Sequence, residues 1–194
     1  MRILAVPQHQ PASLDELLAL AQGYAEFAMR NIGHVPPAFL ANSPTGLIHF
    51  VPDSLKDEWA KDNLANTARL ICVGYEVTAS VLVLEAWMKM AKPGETLDMT
   101  EPPSEAFDRQ EVVVLTGETA QHCKQMLLPI IRTDAGGFFG LGEHVGPKLN
   151  NFEGRFAQLL PPKRPGAEGI DLARAMLVAM GVTEERLRGN AERN

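Results

Sequence analysis

Apolar residues recur at helical spacing near the start of the chain: Leu14, Leu17, Leu18, Ala21, Ala25, Ala28 and Met29. Ser13 and Glu16 precede them at the spacing of a capping box, in which each side chain serves a backbone N–H of the first turn. The pattern predicts a helix near 13–31, ended by Gly33 and Pro36-Pro37. Gly46 to Val51, bounded by Pro44 and Pro52, reads as a weak strand. A second helical stripe, formed by Leu55, Trp59, Leu64, Ala68, Ile71, Cys72 and Tyr75, predicts a helix near 54–74 capped by Asp53 or Ser54.

The periodicity then changes. Strands are predicted near 78–90, 110–116, 122–132 and 138–141. Both parities are apolar between Ser80 and Leu84, as in a strand covered on both faces. The segment from Thr119 also fits a short helix, and Pro129 makes it an edge strand if it is a strand. A helix near 170–180 follows and stops at Gly181; a short one starts at Thr183, and 189–194 reads as frayed. Strands clustered between helices indicate an α+β fold: one two-layer domain over 1–194, a mostly antiparallel meander backed by helices.

Composition narrows the function classes. With 45% hydrophobic and 22% charged residues, the chain is an ordinary globular sequence. A net charge of −6 without a Lys/Arg cluster argues against nucleic acid and against an anionic membrane surface. No stretch has the length of an apolar membrane span and no signal-peptide core is present, so the expectation is a soluble cytoplasmic protein. The two cysteines, Cys72 and Cys123, lack zinc spacing, and the five histidines are scattered. No cofactor or metal is expected from a motif. Gly140 to Gly146 misses the spacing of a phosphate loop and reads as a hairpin end.

Candidate chemistry gathers around Glu85. A carboxylate inside an apolar strand is costly unless it is paired or used. Glu85 shares a strand face with Trp87, and Glu111 on the next strand is placed to approach both. Converging carboxylates bind divalent cations or act as an acid/base pair. The structural alternative is that Glu85 pairs with Arg109 or Lys89. Residues 92–109 form a long acidic loop holding Glu95, Asp98, Glu101, Glu105 and Asp108, stiffened by Pro93, Pro102 and Pro103. The loop is either a solvated insertion or a rim that binds a cation, a basic partner or a polar ligand. The candidate binding residues are therefore Glu85, Trp87, Glu105, Asp108, Arg109 and Glu111.

Glu85-Ala86-Trp87-Met88, followed by Pro103-Ser104-Glu105, Asp108-Arg109 and Glu111-Val112-Val113, resembles a pattern in small bacterial and phage-borne proteins of uncharacterised activity. The resemblance transfers no functional residue. The sequence favours a non-enzymatic binding or accessory domain for a protein partner or small polar ligand, with self-association open. The alternative is a divalent-metal hydrolase built on carboxylates around Glu85.

Overall fold

A computed structural model describes residues 10–89, 102, 105–107, 109–146 and 153–188. Helix α1 spans Leu14–Ile32, and the Ser13 side chain accepts the Glu16 N–H at its N-terminus. Glu16 reaches back to the Ala12 N–H, one residue short of the usual capping-box partner. Gly33 ends the helix in the left-handed conformation, φ 79°, and its N–H donates to the Met29 carbonyl.

Two strands follow, β1 (Ala38–Ser43) and β2 (Gly46–Phe50), joined in a tight hairpin. Helix α2 (Glu58–Gly74) leads to a meander of β3 (Ala79–Met88), β4 (Gln110–Thr119), β5 (Cys123–Arg132) and β6 (Phe138–Leu141). Helices α3 (Ala167–Ala179) and α4 (Glu184–Leu187) complete the described elements. The six strands are antiparallel in the order β2-β1-β3-β4-β5-β6.

The α+β class, the antiparallel sheet and the meander match the sequence pattern. The helices, however, divide between the two faces, so the sheet is the middle of three layers. Leu17, Leu18, Ala21 and Tyr24 of α1 meet Leu40, Val81, Val83, Val113 and Leu115, and the sheet curls as a half-barrel over this helix. On the other face Phe39, Ala41 and Leu82 pack with Leu64, Ala68 and Ile71 of α2, Leu177 of α3 and Leu187 of α4. Alternation along β3 sends Val81 and Val83 one way and Leu82 the other, which explains why both parities are apolar there.

Four expectations are corrected. Strand β1, which the sequence pattern does not mark, lies between β2 and β3 and is buried along its length. Helix α2 begins three to four residues later than the cap at Asp53 or Ser54 implies, because the Asp57 carboxylate accepts the Ala60 N–H. Trp59, in its first turn, is 75% exposed and lies outside the buried stripe. Strand β5 is interior, since β6 forms the edge. Pro129 is tolerated there because its carbonyl accepts the Gly142 N–H just past β6, so its missing donor also faces the short edge strand. The part of the acidic loop from 92 to 101, with Pro103, Ser104 and Asp108, lies outside the described residues, as do 189–194.

Helix α1 packs closely on β4 at Gly117. A Cβ there would stand 3.1 Å from Leu14 Cδ1 and 3.3 Å from Leu18 Cδ2. Gly117→Val should therefore destabilise the fold by about 1–3 kcal/mol through overpacking, measurable as a lower urea midpoint at unchanged slope. A midpoint equal to that of the parent would show that α1 is free to shift.

Candidate functional site

The paired ends of β3 and β4 bring four of the six candidate residues together. Glu85 stands opposite Val113, and Trp87 opposite Glu111. By strand alternation Glu85, Trp87 and Glu111 share the face that α1 covers further along. Here α1 has ended, so these side chains emerge from the core.

Glu85 is exposed and its carboxylate accepts the Val35 N–H at 2.7 Å, tying the segment after α1 to β3. That bond fixes the carboxylate at the end of the strand. Arg109 lies over the Trp87 ring, its guanidinium carbon 4.4 Å from the ring centre, in cation–π geometry. Trp87 stays 42% exposed beneath it. Glu111 is bonded to Arg132 across β4 and β5, at 2.8 Å from Nε and 2.7 Å from Nη2. The Glu111 bond holds the Arg132 guanidinium above its ordinary pKa, and the field of Glu85 adds to it. Beside them Arg30 of α1 lies 5.3 Å over the Phe138 ring.

Glu105 is exposed in the turn before β4, where its N–H donates to the Pro102 carbonyl. Asp108 lies outside the described residues. Among the described residues no three His, Cys, Asp or Glu side chains converge as metal ligands. A backbone donor engages one carboxylate and a guanidinium the other, so the exposed chemistry is an aromatic ring, its stacked cation and a charged border.

Three polar features carry no clear signal in the sequence. Glu118, on β4, is 5% exposed, and its carboxylate accepts the N–H groups of Gln158, Leu159 and Leu160 at 2.8, 2.8 and 3.4 Å. Gln158 has φ 53°, and the left-handed turn directs successive N–H groups at one anion. Arg69 holds the same strap from the other side, donating to the carbonyls of Arg155 and Ala157. His144 takes the place of a backbone acceptor beside β5. Its Nδ1 accepts the Leu127 N–H at 3.0 Å, which puts the proton of the neutral ring on Nε2. His49 points its imidazole under α1, edge-on to Tyr24, with Nε2 buried and without a partner. Burial lowers the His49 pKa to about 4.

A groove of about 730 Å³ lies between the N-terminus of α1 and the β4–β5 hairpin, lined by Leu14, Asp15, Thr119, Lys124, Met126 and His144 among others. It is remote in register from the Trp87 end of the sheet, since Thr119 and Gln110 close opposite ends of β4. No family model, curated protein or solved structure matches the chain. Among the described residues no helix is long and apolar enough to cross a membrane.

Proposed function

We propose that this chain is a non-enzymatic binding domain, acting in a bacterial or phage cytoplasm, whose partner is a protein segment seated on the Trp87–Arg109 end of the sheet. The observation that carries this reading is the half-exposed Trp87 ring with Arg109 stacked on it. Tryptophan and arginine are the residues that most often dominate protein interfaces, because each covers a large area and donates hydrogen bonds at its edge. Both sit on or beside paired strands, so little side-chain freedom is lost on contact. Glu85 and Glu111 border the ring and supply charge that selects the partner. The resemblance to small bacterial and phage-borne proteins rests on these same residues.

The experiment is photocrosslinking in the producing cell, with a benzophenone amino acid at position 87 and a control at position 59 on the opposite side of the sheet. A discrete adduct at 87, lost on Arg109→Ala and missing at 59, is the expected result. Equal adducts at both positions would reject the surface.

The metal-hydrolase alternative has its own readout. Ions that bind the folded form raise its melting temperature by mass action. Millimolar Mg²⁺, Mn²⁺ or Ca²⁺ should leave that temperature unchanged. A rise that Glu85→Gln abolishes would restore the hydrolase reading in place of the binding domain.

A further inference from the structure

The outward face of α3 differs in kind from those of α1 and α2. Helix α2 turns Asp62, Asn63 and Asn66 to water, and α1 turns Asp15, Glu16, Arg30 and Asn31. Helix α3 already buries Ala173 and Leu177 against the core, yet its opposite side shows Leu172, Ala175, Met176, Val178 and Ala179. From Ala175 to Val182 no side chain is polar. A helix that is apolar all round is one covered on both sides.

We propose that this face pairs with the same face of a second copy of the chain about a two-fold axis, with the two α3 helices antiparallel. The area fits. Leu172 is 63% exposed, Val178 68%, Met176 45% and Met180 38%, and Trp59 borders Met180 across a cleft of about 370 Å³. Together they offer on the order of 500 Å² of apolar surface per copy, so that a pair with its polar rim reaches the roughly 1,200 Å² at which stable interfaces begin. A two-fold contact needs a face complementary to itself. This one is uncharged at its centre, and Ala175 and Ala179, one turn apart, leave room for a neighbouring helix. The charges are at the ends. Glu168 and Asp171 occupy the start of α3, and Arg186 lines the cleft beside Met180 at its finish. The antiparallel arrangement sets the acids of one copy toward the arginine of the other. Arg186 already pairs with Asp53 at 2.9 Å in the same copy, so each end becomes a small network.

The test is the mass of the full chain in solution, by sedimentation velocity or by light scattering after gel filtration, from low- to high-micromolar protein. The parent should run at twice the chain mass. Ala175→Glu and Met176→Lys, both at exposed positions, should each weaken association at least tenfold and keep the circular dichroism spectrum of the parent. Asn66→Glu on the polar face of α2 should leave the mass unchanged. A parent that is monomeric at every concentration would overturn the proposal and leave the face to a different partner. A dimer that survives both α3 substitutions would overturn it too.

Discussion

Glu118→Ala is expected to lower the unfolding free energy by about 3–5 kcal/mol, the cost of leaving buried donors without their charged acceptor. Three backbone N–H groups lose their partner at once, on Gln158, Leu159 and Leu160. Leu159 and Leu160 are buried in the core on the α2 side of the sheet, so water reaches those amides only if the strap lifts and exposes apolar surface as well. Glu118→Gln keeps one carbonyl oxygen in place and should cost less, about 1–3 kcal/mol. Urea unfolding gives both values. Cys72 supplies an independent reading, because its thiol is fully buried, with its pKa raised first by burial and then by the field of Glu118. In a Cys123→Ser background, Glu118→Ala should make Cys72 react faster with a thiol reagent under native conditions. A loss below about 1 kcal/mol, with Cys72 still protected, would mean that the strap amides find other acceptors.

The second large effect is in pH. His49 is held neutral with a pKa near 4, against about 6.5 for a histidine in the unfolded chain. Between these values the unfolded chain takes up a proton that the fold refuses, so stability rises with pH through that window. The contribution is complete above about pH 6.5 and falls away on acidification, by about 3 kcal/mol in total once pH 4 is reached. Below pH 4 the ring is charged in both states and adds no further slope. His49→Gln removes the titration, and its stability should be much flatter than that of the parent from pH 7 to 4.5. Parallel curves for the two proteins would show that the ring is solvated in the fold. Tyr24, edge-on to His49 and hydrogen-bonded to the Pro36 carbonyl at 3.0 Å, stays neutral throughout because burial raises its pKa.

Elements whose residues face a core with a regular period were legible in the sequence. Helix α1 showed its stripe and cap, and β3 and β4 showed apolar runs with no helical pattern between them. Strand β1 was hidden for a physical reason. Ala38-Phe39-Leu40-Ala41-Asn42-Ser43 follows two prolines, has no β-branched residue and ends in polar residues that read as loop. Its polar end finds distant partners for two of its groups, Asn42 Nδ2 donating to the Pro11 carbonyl and the Asn42 carbonyl accepting the Thr78 N–H, while Asn42 Oδ1 is buried without one. Trp59 fits the helical spacing of the stripe, yet in the first turn of α2 it precedes the part of the helix that packs in the core.

The candidate site was half legible. Alternation placed Glu85, Trp87 and Glu111 on one face, and the structure agrees. Their partners were not legible, because Val35 and Arg132 arrive from elsewhere in the chain through register and loop closure. A carboxylate in an apolar strand is costly where it is buried, and Glu118, not the exposed Glu85, bears that cost. Glu85 comes after α1 has ended and faces water, whereas Glu118 meets a strap forty residues away that has no sequence signal of its own.

The place of β1 in the sheet sets an order on how the molecule assembles. The meander from β3 to β6 joins neighbours in sequence, and such hairpins close quickly. Joining β1 to β3 encloses β2 and the whole of α2, a longer loop whose ends must meet before any contact rewards them. The two tryptophans stand on either side of this divide, Trp59 on the excursion and Trp87 in the meander. Each is a native fluorophore for one half of the process, so the chain carries its own pair of clocks for local and long-range closure.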